Sequence, residues 1–266
     1  MANLTPVVKW LLIVNFGIFF LDLFNGHRMV EFGAFTVQSA VYEQQFWKFI
    51  TFQFLHANLG HVLFNCIAIY FFGPWMERWW GSAKFLVFYL LCGVAGALFF
   101  TMLMLLHVVP GDASSGLIGA SAGIYGILVG VAIIAPNLRV MLLIPPVELS
   151  MRQLAIALLA LAVGIIVFNF ENAGGQAGHL GGAILGYFLV RFPWLLGAGS
   201  GVQTIRPHPS ERHYESKLRP RSRFETEQDS EVDRILDKIS REGFQSLTPQ
   251  EREILQKASE RQHHDS

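Results

Sequence analysis

Apolar residues are unevenly distributed along this chain: they form long stretches that charged residues seldom interrupt, and these stretches recur through the first 190 residues. A helix that crosses a bilayer needs about 20 mostly apolar residues, and each stretch has about that length. The pattern therefore predicts six membrane-spanning helices, at residues 7–24, 49–75, 85–106, 117–135, 153–170 and 176–190.

The pattern changes after residue 196, where Gly, Pro, Arg and Ser become frequent, as is typical of a solvated linker. Further on, the segment Thr248-Pro249-Gln250-Glu251 has the form of a capping box with proline at the first helical position. Apolar residues also recur at the spacing of one helix face, at Val232, Ile235, Leu236 and Ile239. These features predict a membrane domain at residues 1–196, a basic linker at 197–229 and a short cytoplasmic helical hairpin at 230–266.

Composition supports a membrane protein, because 52% of the residues are hydrophobic and only 15% are charged. The formal net charge is zero, so nothing indicates a nucleic-acid partner. The two cysteines, Cys66 and Cys92, lie inside apolar stretches without further cysteine partners. A disulfide framework or a zinc site built from thiolates is therefore not expected, and the sequence predicts no cofactor and no metal.

Charge placement predicts the orientation in the membrane. Residues 7–24 could pass for a signal peptide, but no cleavage signature of small residues follows them, so we expect an uncleaved first span. Cationic residues are more frequent in the loops that would be cytoplasmic than in those that would face outside, which favours cytoplasmic termini. The expected location is a bacterial inner membrane, with a multi-pass topology. The inner cations are Lys9, Arg78, Lys84, Arg139, Arg152 and Arg191.

Several polar residues fall inside the predicted spans, where each needs a protein partner or a water-filled cavity. The second span carries His56, His61 and Asn65, and the last two are four residues apart, on one face of a helix. The first turns of the fourth and sixth predicted spans carry Ser121 and His179. All three spans run inward from the outer side, so these residues are expected at a common depth near the outer face.

This combination points to nucleophilic catalysis. A serine hydroxyl becomes a good nucleophile only when a base takes its proton, and imidazole suits that task near neutral pH. His179 is the natural base for Ser121, and the Ser121 backbone N–H, Asn65 and His61 are candidate donors to an oxyanion. Close approach of the two spans is favoured by glycines at every fourth position, namely Gly119 and Gly123 in one span and Gly178, Gly182 and Gly186 in the other.

From about residue 46 to 186 the chain resembles the rhomboid family of intramembrane serine proteases. The resemblance implies a Ser-His dyad without a triad carboxylate, in which Ser121 is the nucleophile and His179 the base. It also implies that His61 and Asn65 line the oxyanion hole. The motifs that carry it are FLHANLGHVLFN ending at Asn65, G-x-S from Gly119 to Ser121, and GHLGG starting at Gly178.

Other positions extend the resemblance or depart from it. Tyr125 matches the family tyrosine against which the catalytic histidine packs. Lys48 stands where the family has arginine in a Trp-Arg pair, and lysine lacks the planar fork of arginine, which puts a loop-anchoring role in doubt. Ala122 and Gly178 also differ from the usual residues, although both remain small. For His56, a structural hydrogen bond and a role in the site are equally expected.

The fold predicted is an all-α six-span bundle in which a short fourth span starts at a water-filled cavity open to the outside. The predicted function is hydrolysis of peptide bonds in or near transmembrane segments of single-span or other membrane proteins within the lipid bilayer. A substrate helix has to unwind locally, so helix-weakening residues near the cut should favour cleavage. The tail is expected to bind a cytoplasmic partner or anionic lipid, or only to fold on itself.

Two alternatives remain open at this stage. A rhomboid-like protein without activity would use the same fold to bind membrane clients, although such proteins typically lack the serine or the histidine and this chain has both. A membrane cytochrome would use histidines such as His56, His61 and His179 as haem ligands. A haem absorption band in the purified protein would distinguish the cytochrome from the other two classes.

Overall fold

The computed structural model describes residues 4–143 and 146–197 and, towards the C-terminus, residues 232, 234–235, 237–239, 244–251 and 254–255. The chain divides into two compact units, Met1–Ile205 and Arg206–Ser266. The linker predicted at 197–229 lies, apart from Gly197, outside the described residues.

The first unit is mostly helical, as predicted. Within the described residues, two small antiparallel sheets that the sequence did not predict accompany the helices. The strands are β1 (Phe35–Thr36), which pairs with β2 (Gly116–Leu117), and β3 (Arg139–Leu143), which pairs with β4 (Pro146–Ser150). The helices are α1 (Pro6–Phe24), α2 (Arg28–Gly33), α3 (Lys48–Thr51), α4 (Leu59–Trp80), α5 (Ser82–Leu105), α6 (Ser121–Ile134), α7 (Met151–Val167) and α8 (Ala173–Arg191).

Several helices have the length and composition of membrane spans. Among the described residues, α1, α4 and α5 are long and apolar enough to cross a bilayer, whereas α6 and α7 are apolar but shorter. A rise of about 1.5 Å per residue makes the 14 residues of α6 about 21 Å long, less than the hydrocarbon core of about 30 Å. The chain is an integral membrane protein on these grounds.

The predicted start of the second span at residue 49 is wrong. Residues 48–54 form α3 and a short 3₁₀ turn, and α4 begins only at Leu59. Asn58 has extended backbone and caps α4, because its side chain accepts the backbone N–H of His61 at 2.9 Å. His56 therefore precedes the helix that carries His61 and Asn65.

The predicted start of the fourth span at residue 117 is also wrong, since α6 begins at Ser121. Leu117 lies in β2, opposite Phe35, and its strand conformation excludes it from the helix. Gly119 has φ of +123°, which L side chains rarely adopt and which no α-helix contains. Its backbone N–H donates to the Phe52 carbonyl at 2.9 Å, so the 3₁₀ turn Phe52–Phe54 before α4 sets the path of the chain into α6.

Helix α6 lies against α8 through small residues. A methyl group on Gly186 would lie 2.6 Å from the Cα of Gly126, and one on Gly182 would overlap the carbonyl of Ala122. The prediction that glycines bring these two helices together is thus confirmed for Gly182 and Gly186. It is wrong for Gly123, which faces the ring of Tyr89 on α5, because the large Tyr89 side chain fills that side of α6.

A buried carboxylate joins α4 to α1. The two oxygens of Glu77 accept the backbone N–H groups of Val7 and Val8, each at 2.9 Å, and Oε1 also accepts the Ser82 hydroxyl at 2.6 Å. These N–H groups lie in the first turn of α1, where backbone N–H groups have no acceptors within the helix. Glu77 is therefore an interhelical cap, which explains how a carboxylate tolerates burial here.

The second unit contains the predicted capping box. The Thr248 backbone N–H donates to Glu251 at 2.8 Å, and the Glu251 backbone N–H donates to the Thr248 hydroxyl at 3.3 Å. Lys238 forms an ion pair with the same carboxylate at 3.0 Å. The Thr248 N–H together with Lys238 lowers the pKa of Glu251 to about 2. Ile235 and Leu247 are buried in this unit.

Candidate active site

Ser121 and His179 are in direct contact although they are 58 residues apart. The Nε2 atom of His179 lies 2.7 Å from the Oγ atom of Ser121, a hydrogen-bond distance. Ser121 is the first residue of α6. His179 is the seventh residue of α8, so its predicted place in the first turn is wrong by one turn, because α8 starts at Ala173. Both side chains are half-buried.

The second nitrogen of this imidazole also has a partner. Nδ1 of His179 lies 2.9 Å from Oε1 of Gln176, three residues earlier on α8. The sequence patterns do not identify Gln176 as a site residue. The sequence feature that could have identified it is a polar residue one helical turn before the histidine, on the same face of a helix whose other residues are mostly small or apolar.

An aromatic ring covers one face of the imidazole. The Tyr125 and His179 ring centroids are 4.3 Å apart, with 13° between the ring planes. Tyr125 is one helical turn after Ser121 on α6, so one face of this helix carries both groups that contact the histidine. The ring of His179 is held on three sides, by Ser121, Gln176 and Tyr125.

His61 and Asn65 converge on the segment just before Ser121. A methyl group on Gly119 would lie 2.6 Å from Nε2 of His61 and 3.6 Å from Nδ2 of Asn65. Gly119 is therefore required here both by its positive φ and by the closeness of these side chains. Nδ2 of Asn65 is buried and has no hydrogen-bond partner within the described residues.

The tautomer of His61 follows from its second nitrogen. The Ala57 backbone N–H donates to Nδ1 of His61 at 3.4 Å, so Nδ1 is an acceptor and the proton of a neutral ring is on Nε2. Nε2 is then a donor directed at the Gly119 segment. Nε2 of His61 and Nδ2 of Asn65 are thus two donors beside Gly119, just before the first backbone N–H groups of α6.

His56 lies behind this group. Its side chain is only 2% exposed, and its ring is 5.0 Å from that of His61, nearly edge to face. Neither ring nitrogen makes a hydrogen bond of standard length and angle within the described residues. The structure thus places His56 against His61 and not against Ser121 or His179.

The 3₁₀ turn Phe52–Phe54 is anchored to α5 by the side-chain amide of Gln53. Gln53 is fully buried, and its Nε2 donates to the carbonyls of Phe49 at 3.0 Å and Leu90 at 3.2 Å. A methyl group on Gly93 of α5 would overlap this amide, so the glycine makes room for it. Lys48 is buried, and its ammonium group makes no hydrogen bond or ion pair with the described residues. The sequence patterns did not predict this role of Gln53.

The site consists of a hydroxyl, imidazoles and amides. Within the described residues, no group of three His, Cys, Asp or Glu side chains could hold a metal ion. What the arrangement can do is activate a hydroxyl by a base and stabilise a negative oxygen with donors.

Comparison with known proteins identifies relatives of both parts of the chain. A family model described as "Rhomboid domain" matches residues 43–194, and a family of unknown function, DUF6576, matches residues 224–261. Rhomboid protease GluP of Bacillus subtilis (strain 168) is 30% identical over 164 residues, which cover 62% of this chain and 29% of that protein. Rhomboid protease AarA of Providencia stuartii is 27% identical over 173 residues, which cover 60% of this chain and 59% of that protein.

One of the proteins similar to this chain is named as inactive. Inactive RHOMBOID-like protein 8 of Arabidopsis thaliana is 28% identical over 98 residues, which cover 36% of this chain and 28% of that protein. The chain spans less than two thirds of the length of each of these three relatives.

Proposed function

The chain belongs to the rhomboid family, because the Rhomboid domain model matches more than half of it, and on this premise we propose that it is an intramembrane serine protease. The reaction is hydrolysis of peptide bonds in or near transmembrane segments of other membrane proteins. The observation that carries the proposal is the 2.7 Å contact between Nε2 of His179 and Oγ of Ser121.

In the proposed mechanism, Ser121 and His179 form the dyad. Nε2 of His179 removes the hydroxyl proton as Oγ attacks the substrate carbonyl carbon, and the same proton is then delivered to the leaving amine. The resulting acyl-enzyme is hydrolysed by water that His179 activates in the same way. Tyr125 keeps the imidazole in place through both steps.

The proposed oxyanion hole consists of the Ser121 backbone N–H, Nε2 of His61 and Nδ2 of Asn65. Within the described residues, Nδ2 of Asn65 has no hydrogen-bond partner before the reaction, so it need not break a hydrogen bond to bind the new negative charge. Gly119 leaves room for the His61 and Asn65 side chains. His56 supports the site from behind, through its contact with the His61 ring.

The proposed architecture is a six-span bundle, in which α1, α4, α5, α6, α7 and α8 cross the membrane. Both termini are cytoplasmic in this arrangement, and the active site opens to the outer face of a bacterial inner membrane. Since α6 is shorter than the bilayer core, Ser121 starts its helix inside the protein, where water must be admitted. The parts proposed are the membrane domain 1–196, the linker 197–229 and the cytoplasmic hairpin 230–266.

A second function is favoured by one observation, the similarity to a relative named as inactive. A protein of that kind would bind membrane clients without cutting them. Against it stands the hydrogen-bonded Ser121–His179 pair, which binding alone does not require. The cytochrome hypothesis gains no support, because the Nε2 atom that would ligate iron is directed at Ser121.

The test is cleavage by the purified protein in detergent, with a panel of single-span membrane proteins as substrates. We expect cleavage by wild type and by Ser114→Ala, which changes an exposed loop serine, and none by Ser121→Ala. A fluorophosphonate probe should label wild type and Ser114→Ala but not Ser121→Ala. Cleavage by folded Ser121→Ala protein would refute the mechanism.

A further inference from the structure

We propose that Gln176 is a positioning residue that holds His179 in the tautomer able to accept the proton of Ser121. The inference rests on the proposed protease function and deepens it. Its basis is the pair of contacts on one imidazole, 2.9 Å from Nδ1 to Oε1 of Gln176 and 2.7 Å from Nε2 to Oγ of Ser121.

A neutral imidazole carries one proton, on either nitrogen. If the proton is on Nδ1, Nε2 has the lone pair that can take the Ser121 proton. If the proton is on Nε2, that nitrogen donates to Ser121 and cannot act as a base. The occupied tautomer is set by the hydrogen bond that the other nitrogen makes.

Gln176 favours the productive tautomer through its carbonyl oxygen. Oε1 is an acceptor only, so at 2.9 Å it stabilises a proton on Nδ1 and leaves Nε2 free for Ser121. Gln176 and His179 are three residues apart on α8, so their side chains meet on one face of the helix. Stacking on Tyr125 fixes the plane of the ring, and Gln176 fixes its rotation within that plane.

An amide suits this position better than a carboxylate. In soluble serine proteases a buried carboxylate orients the histidine and stabilises the imidazolium. Within a bilayer a charged acceptor is costly, whereas a hydrogen-bonded neutral amide is less so. Within the described residues no carboxylate contacts His179. Gln176 would thus supply the orientation without the charge.

The test compares Gln176→Met, which keeps the length and removes the acceptor, with Gln176→Glu, which keeps the acceptor and adds charge. We expect Gln176→Met to lower kcat about tenfold, the size of one neutral hydrogen bond, with KM unchanged. In Gln176→Glu we expect kcat to stay within about threefold of the wild-type value, because the hydrogen-bond acceptor is kept.

The pH dependence separates positioning from mere packing. A carboxylate stabilises the imidazolium, so the acid limb of kcat should move to higher pH in Gln176→Glu. In Gln176→Met the imidazolium loses an acceptor, so the limb should move to lower pH. A packing role would change kcat or thermal stability and leave the limb in place.

The ¹⁵N chemical shifts of the His179 imidazole report its tautomer in detergent whether or not any substrate is cut. We expect a proton on Nδ1 in wild type and Gln176→Glu, and a mixture of tautomers in Gln176→Met. An unchanged tautomer together with an unmoved acid limb in Gln176→Met would overturn the role of Gln176. Loss of the proposed protease function would appear differently, as a wild type that neither cuts substrates nor reacts with the fluorophosphonate.

Discussion

The imidazole of His179 and the ring of Tyr125 lie parallel, with centroids 4.3 Å apart and 13° between their planes. The two residues belong to α8 and α6, and Ser121 is one turn from Tyr125 on the same helix. The stacking therefore ties the position of the proposed base to the helix that carries the proposed nucleophile. Any change in the contact between α6 and α8 should therefore change the distance between Ser121 and His179.

Stacking requires the aromatic ring of Tyr125 and not its hydroxyl. We expect Tyr125→Phe to keep kcat within about twofold and Tyr125→Leu to lower it by up to about tenfold, since aromatic pairs contribute about 0.5–1.5 kcal/mol. Steady-state cleavage of a single-span substrate in detergent measures both. Equal activity of the Phe and Leu variants would show that the ring does not position His179.

Loss of one oxyanion donor should reduce turnover without abolishing it. In Asn65→Ala we expect kcat to fall about 10²- to 10³-fold with little change in KM, because the Ser121 N–H and His61 remain. The matched control is Asn15→Ala, since Asn15 is also a buried asparagine, but its amide bonds to the Leu11 carbonyl of its own helix. Unchanged turnover in Asn65→Ala would assign this residue to helix packing.

The close contact of α8 with α6 should be sensitive to a single methyl group. Gly182→Ala would place its Cβ against the Ala122 carbonyl, so the helices must separate, at a cost of about 1–3 kcal/mol. Thermal unfolding in detergent should show lower stability, together with reduced cleavage. The control is Gly164→Ala on α7, where nothing lies within 4 Å of the new methyl group, and it should be neutral or stabilising. Equal stability of the two variants would contradict the packing described.

Orientation in the membrane can be measured with added cysteines, because the native Cys66 and Cys92 are buried. Ser114→Cys lies in the exposed loop after α5, and Trp194→Cys lies beyond α8, where the side chain is 68% exposed. On intact cells, an impermeant maleimide should label the first and reach the second only after permeabilisation. The reverse pattern would place Ser121 and His179 at the inner face.

The C-terminal unit should be dispensable for chemistry, because every residue of the proposed site lies in Met1–Ile205. Truncation after Gly201 is expected to preserve cleavage of a single-span substrate in detergent. In cells it should change location, abundance or substrate choice, through the loss of a cytoplasmic partner or of basic residues that bind anionic lipid. A truncated protein that is folded but inactive in detergent would make the tail part of the catalytic unit.

Much of this protein could be inferred from the sequence because membranes impose strong local rules. Apolar length predicted the helices, and α1, α5 and α8 begin and end within a few residues of the expected positions. The polar residues of the site could be selected because polar groups inside a bilayer need a reason to be there. Their motif spacing then pointed to the family, which the Rhomboid domain match shows.

Only the tertiary structure decided the helix starts at Leu59 and Ser121 and the partners of individual side chains. Both starts depend on local geometry that hydropathy does not record, a cap by Asn58 in one case and the positive φ of Gly119 in the other. Gln176 could not be assigned to His179 from the sequence, since three-residue spacing permits a contact without requiring one. The contact forms because α6 holds the imidazole on its other sides. That arrangement depends on glycines at the α6–α8 contact, and their role is visible only when these two helices, which are far apart in the sequence, pack together.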